Sequence, residues 1–198
     1  KKSVITFYFT GKSLKAKNAP VCLFNLDLIK QYPDHKIIVV EGAKSASYAM
    51  FLLDYGFIPV SWSRGTHNIK KCDWSSISGR EVYFYPDDDQ KKDKKGKLFP
   101  SDKQPGIKAA LEFKKVIGSN LKSLKIINPH EAARKIKDDG ADIVELLEVL
   151  SKEEIANYFL NSPEYKPPEK LKAPRRENVS IDDFEKSIPV LHAGCRPD

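Results

Sequence analysis

Four short apolar runs set the frame: Ile37-Ile38-Val39-Val40, Ile58 to Trp62, Val82-Tyr83-Phe84-Tyr85 and Leu124 to Ile127. Each reads as a strand ending at turn or charged residues, and Ile37 to Val40, apolar throughout, has the pattern of a strand buried on both faces. The stretches after them have helical spacing. Lys44 to Tyr55 lines up Ala46, Ala49, Met50 and Leu53 and is stopped by Gly56. Ile107 to Ile117 turns Ile107, Ala110, Leu111 and Ile117 inward, and helices over Ile143–Leu150 and Lys152–Leu160 follow. Strands alternating with helices of this size imply an α/β fold, a mostly parallel sheet of about four strands flanked by helices. Right-handed crossovers limit the topologies, but the strand order is not readable from the chain.

The two ends differ from this middle. Val4 to Phe9 reads as a strand turned by Thr10-Gly11-Lys12-Ser13, Val21 to Phe24 as another, and Leu26 to Gln31 as a short helix before Pro33. Residues 1–36 are therefore expected to be a β/helix extension packing on a core domain at 37–160. Past Asn161 come six prolines and the run Lys170 to Arg176, so 161–198 reads as a Pro-rich linker or tail. One short helix is expected around Asp182 to Ser187. The chain starts Lys1-Lys2-Ser3, without Met or a signal-peptide pattern, and is read as an excerpt of something longer with a downstream domain.

With 198 residues, 34 Lys and Arg against 27 Asp and Glu give a formal charge of +7, which suits a polyanionic partner. No apolar run is long enough to span a membrane. Cys22, Cys72 and Cys195 are odd in number and widely spaced, and His35, His67, His130 and His192 lack zinc-ligand spacing. Reduced thiols in a cytoplasmic protein are the expectation.

The chemistry lies in the carboxylates. Glu41 directly follows the first apolar run, and Asp87, Asp88 and Asp89 directly follow the third. If both strands are parallel, these groups share the carboxyl edge of the sheet, where open α/β folds bind ligands. Hard oxygen donors at this density suit Mg²⁺, and Asp87 and Asp89, alternate in an extended chain, can reach one ion. Either motif alone is as ordinary as a turn; the pair favours an ion site.

Ile38-Val39-Val40-Glu41-Gly42-Ala43-Lys44-Ser45-Ala46 resembles the first motif of the Toprim domain, shared by bacterial-type primases, topoisomerases and some nucleases. Tyr85-Pro86-Asp87-Asp88-Asp89 resembles its second, an Asp-x-Asp after a strand. Cys72 to Val82 before it, and Asp139-Gly140-Ala141-Asp142 opening a helix after it, are similar to phage and plasmid primases or primase-helicases. The likeness covers roughly Phe7 to Leu150, and its specificity lies in the order of the pieces. It implies a Rossmann-like Toprim sheet, Glu41 as general acid or base, and Asp87 and Asp89, with Glu41, as ligands of Mg²⁺, with Mn²⁺ able to substitute.

Two departures stand out. The Gly that opens the helix after Asp-x-Asp in the family best matches Gly106, with Gly96 the alternative; the stretch from Gln90 to Lys103 is then a lysine-rich insertion over the metal edge. Arg64-Gly65 stands where the family has paired glycines.

Further candidates each have an ordinary alternative. Lys44 beside Glu41 is a catalytic candidate or a solvated helix residue. Arg64 and His67 follow a strand end and can meet nucleotide phosphates or simply sit on a loop. Lys91, Lys92, Lys94 and Lys95 in the insertion are expected to contact nucleic-acid phosphate. Asp88, Asp139 and Asp142 are secondary acidic candidates, with Asp142 and Glu145 reading first as a capping box. Trp62 and Trp74 are more in keeping with the core than with base stacking.

The resemblance implies a primase module making primers with Mg²⁺ for DNA replication. Its expected partners are a single-stranded DNA template, nucleoside triphosphates and a helicase domain or protein, with no membrane. A Mg²⁺-dependent Toprim nuclease and a non-catalytic nucleic-acid-binding module are the alternatives. No upstream template-binding domain is present in the chain, so weak or absent activity of this piece alone is expected.

Overall fold

A computed structural model describes residues 8–9, 14–15, 21, 23–63 and 66–168. Strands β1 (Tyr8–Phe9) and β2 (Leu14–Lys15) pair antiparallel. The main sheet has five strands: β3 (Leu23–Phe24), β4 (Lys36–Val40), β5 (Phe57–Trp62), β6 (Glu81–Tyr85) and β7 (Ser123–Ile126). Their order is β3-β5-β4-β6-β7. The four longer strands are parallel and β3 alone runs antiparallel, against β5. The expected four strands become five because Leu23 and Phe24 pair with Trp62 and Ser61, covering the outer edge of β5.

Alternation along β4 divides the core. Ile37 and Val39 face one side, with α1 (Leu26–Gln31) and α3 (Pro105–Ile117); Ile38 and Val40 face the other, with α2 (Ala43–Tyr48), α4 (Ile143–Val149) and α5 (Lys152–Asn161). The chain leaves β4 through α2 on one face and moves outward to β5. It then returns across the opposite face, placing β6 on the other side of β4 and, after α3, β7 beyond that. Reversing both direction and face keeps the crossovers to one hand. The reversal puts a topological switch between the carboxyl ends of β4 and β6.

The expected helix over Lys44–Tyr55 is divided. After α2 the chain tightens into a 3₁₀ helix over Ala49–Tyr55, ended by Gly56 at φ 78°. Its three-residue period sets Ala49 and Leu52 together against the sheet, both with no exposure.

The 1–36 and 161–198 boundaries are not breaks in packing. Leu23 and Ile29 belong to the main core, and the Arg80 guanidinium donates to the carbonyls of Tyr32 (2.9 Å) and His35, tying the end of α1 to the start of β6. Past α5, the Tyr165 N–H donates to Ile126 O at 2.7 Å and its ring is buried. The expected linker thus begins with a segment docked on the edge of β7. The Asp182–Ser187 helix, Cys22 and Cys195 lie outside the described residues. Trp62 and Trp74 are buried, with Trp74 packed edge-on against Phe113 at 4.8 Å, so neither presents a ring for base stacking.

Candidate active site

The switch brings Glu41 and the Asp87–Asp89 segment to adjacent strand ends, since Val40 pairs with Tyr85 in parallel register. Glu41 Oε1 is buried and has no hydrogen-bond partner. Burial first, then the Asp89 and Asp142 charges, push the Glu41 carboxyl up to about 7, against a lowering pull from the Asp87 backbone N–H. Asp87 rises to about 9, by burial and then by the charges of Glu41, Asp142 and Asp89, with Lys137 opposing weakly. Burial also raises Asp89 and Asp142. These are half-buried like charges short of cations, a state relieved by protons or by a metal.

The Asp-x-Asp segment alternates as an extended chain should. Asp87 and Asp89 serve the acid cluster, and Asp88 turns away. Its carboxylate is 3% exposed and accepts from Arg134 Nε at 2.5 Å and Nη2 at 3.1 Å, and from Gln90 Nε2 at 2.8 Å. The Asp88 backbone pairs with the next loop, N–H to Ala141 O at 2.7 Å and O from Gly140 N–H at 2.8 Å. Asp88 is therefore a fixing point and not a free acidic ligand. Arg134, 46 residues on in sequence, carries no local pattern that announces this role.

Asp89 Oδ2 accepts the Gly106 N–H at 2.6 Å, at the start of α3. A Cβ on Gly106 would come within 3.0 Å of Asp87 N and closer still to Asp87 O. Gly106 therefore brings the start of α3 into close contact with the Asp87 backbone. Gly96, the alternative, occupies a turn at φ 78° with no helix after it.

Asp142 is the N-cap of α4. It accepts from Val144 N at 2.6 Å and forms a capping box with Glu145. Its second oxygen accepts from Ser45 Oγ at 2.7 Å, which joins α4 to α2 next to Glu41. Structural cap and acidic neighbour are thus one residue. Asp139 accepts from Gln90 N at 2.8 Å and pairs with Lys91 Nζ at 2.5 Å, and those contacts hold its carboxyl below the usual range. It clamps the base of the insertion, and Lys91 is its counter-charge.

The insertion is a short hairpin with Lys92 bridged to Leu98. Asp93 Oδ1 accepts from Lys95 N and Lys97 N, and the Gln104 side chain accepts from Lys91 N and donates to the carbonyls of Lys91 and Phe99. Lys92, Lys94, Lys95 and Lys97 are all exposed on it. Asp93 three residues before Gly96 is the turn signal that marks this hairpin in the sequence. Lys44 lies on the exposed side of α2 with its ammonium 5.7 Å from the Tyr48 ring centre, so nothing pairs it with Glu41. Arg64 and the side chain of His67 lie outside the described residues.

Among the described residues, no three His, Cys, Asp or Glu side chains close into a ready metal cage. That openness is compatible with Mg²⁺, which holds to one or two carboxylates and keeps its waters. The all-oxygen donor set and the orphaned buried oxygen of Glu41 fit a hard cation.

Fold and site together define an α/β protein with a half-buried acidic cluster at its sheet switch point. Compared with protein-family models and with curated proteins, the chain matches none. No helix among the described residues is long and apolar enough to cross a membrane.

Proposed function

We propose that the chain is a Toprim catalytic module of a phage- or plasmid-type DNA primase, carrying out Mg²⁺-dependent nucleotidyl transfer in primer synthesis. The observation that carries this reading is the half-buried Glu41 carboxyl, its buried Oε1 without a hydrogen-bond partner, beside Asp87 and Asp89 at the switch between β4 and β6. Asp87, the free oxygen of Asp89 and Glu41 would hold the metal. Bound there, Mg²⁺ would lower the pKa of a 3′-hydroxyl and neutralise charge on the phosphate. Glu41 is the carboxyl of the three that the resemblance assigns to take up and return a proton. The exposed lysines of the hairpin beside this edge supply positive charge for a template strand. A single-stranded DNA template, nucleoside triphosphates and a helicase are the partners of this reading.

The test is primer synthesis with Mg²⁺ on single-stranded DNA by the full-length protein. Glu41→Gln and Asp87→Asn should each abolish synthesis and leave the circular-dichroism spectrum unchanged; synthesis retained in both variants would falsify the reading. Omitting nucleotides from the same reaction separates synthesis from cleavage by the same carboxylates.

A further inference from the structure

Beside the acid cluster, a cleft of about 600 Å³ opens past the carboxyl ends of β6 and β7. The hairpin contributes Leu98 and Phe99, the segment after β7 contributes His130 and Arg134, and α5 contributes Tyr158. Leu98 and Phe99 are 45% and 38% exposed. The volume is in the range of small-molecule sites, and the lining sets apolar and aromatic side chains among many polar ones.

Three of its polar groups have capacity left. His130 Nδ1 accepts the Ala132 N–H at 3.1 Å, so in the neutral ring Nε2 carries the proton and is a donor. Arg134 uses Nε and Nη2 on Asp88, which leaves Nη1. Gln90 uses Nε2 on Asp88, which leaves its carbonyl oxygen as an acceptor. Donors and an acceptor between an exposed phenylalanine and a tyrosine suit a flat heteroaromatic ring. A free anion is a poor match, because Asp87, Asp88, Asp89 and Glu131 also line the cleft.

We infer that this cleft holds the nucleobase of the nucleotide whose phosphates meet the Glu41–Asp87–Asp89 cluster. The inference rests on reading that cluster as a nucleotidyl-transfer site. The base stacks on Phe99 and is edged by His130, Arg134 and Gln90. The hairpin then helps shape the nucleotide site as well as presenting lysines to a template.

Isothermal titration of the full chain tests it. The probes are guanosine and adenosine in EDTA, then GTP and ATP with Mg²⁺. At least one nucleoside should bind without metal. Phe99→Ala should weaken that binding, and binding of the matching triphosphate, about tenfold with the melting temperature unchanged. Asp87→Asn should remove the Mg²⁺-dependent part of triphosphate binding. If Mg²⁺-dependent triphosphate binding is intact but neither nucleoside binds, or Phe99→Ala changes nothing, the cleft assignment is overturned while the acid cluster stands. If triphosphates bind without any dependence on Mg²⁺ or Asp87, the reading of the cluster fails, and the cleft assignment with it.

Discussion

Gly106 approaches Asp87 so closely that its own Cβ position is filled: a methyl group there would meet the Asp87 backbone, 3.0 Å from the amide nitrogen and nearer the carbonyl oxygen. The same residue's N–H holds Asp89 at 2.6 Å. One glycine therefore sets the spacing between the Asp-x-Asp segment and α3. Gly106→Ala must move backbone rather than a side-chain tip, and should destabilise the protein by about 1–3 kcal/mol. It should also weaken Mg²⁺ binding, because Asp87 and Asp89 shift together. Thermal melting with and without Mg²⁺ checks both effects. A variant as stable as the parent, with the same Mg²⁺-induced shift, would show that the contact does not matter.

Asp88 and Arg134 make a second support. Arg134→Ala leaves a 3%-exposed carboxylate with only Gln90 as a side-chain partner. The expected loss is about 3 kcal/mol, near the low end for a broken buried pair because Arg134 keeps part of its surface in water. Asp88→Asn in the Arg134→Ala background should recover part of that loss, since it removes the stranded charge. A denaturant-based double-mutant cycle reads the coupling directly, and additive losses would mean that the two residues act independently.

Much of this arrangement is legible in the sequence, and what is not has physical reasons. The apolar runs mark β4 and β5 because strands buried on both faces have little polar alternation to hide them, and β6 and β7 show through their β-branched and aromatic residues. The Asp142–Glu145 capping box and the Glu41 and Asp-x-Asp positions are local, and each sits at an element boundary that the pattern marks. Strand order is not local: it depends on the face along which each crossover returns. Arg134 and the Lys91–Asp139 clamp depend on where two loops meet, and no spacing rule reaches across 46 or 48 residues. Val21 to Phe24 reads as a strand, but its pairing with β5 spans about 38 residues of chain and carries no local signal, so the sheet has five strands where four are expected.

The acid cluster should make stability fall as pH rises when metal is absent. Glu41 and Asp87 have folded-state values near 7 and 9, above the ordinary carboxylate range they return to on unfolding. Between those limits the folded protein holds protons that the unfolded chain has released, so each step upward in pH favours unfolding. Asp89 and Asp142 shift in the same direction. Asp139 is lowered, so its contribution is present above the ordinary carboxylate range and fades as pH drops through its folded value. In EDTA the melting temperature should decline from about pH 5 to pH 8, Glu41→Gln should flatten that decline, and Mg²⁺ should raise the melting temperature at pH 8. A flat profile in the parent protein would argue against a charged, unrelieved cluster.

The hairpin lysines predict a specific salt dependence. Lys94 and Lys95 are exposed at the tip and neither is spent on an ion pair among the described residues, whereas Lys91 is held by Asp139. If the hairpin meets a single strand, each phosphate contact contributes about 0.7 to the slope of log affinity against log salt. Lys94→Gln with Lys95→Gln should lower that slope by about 1.4 and weaken oligonucleotide binding without regard to base sequence. Lys91→Gln should instead lower stability slightly, by less than about 1 kcal/mol for an exposed pair, and change the slope little. Fluorescence anisotropy with a labelled oligonucleotide across salt concentrations separates the two classes. An unchanged slope in the double variant would move the template contact away from the hairpin.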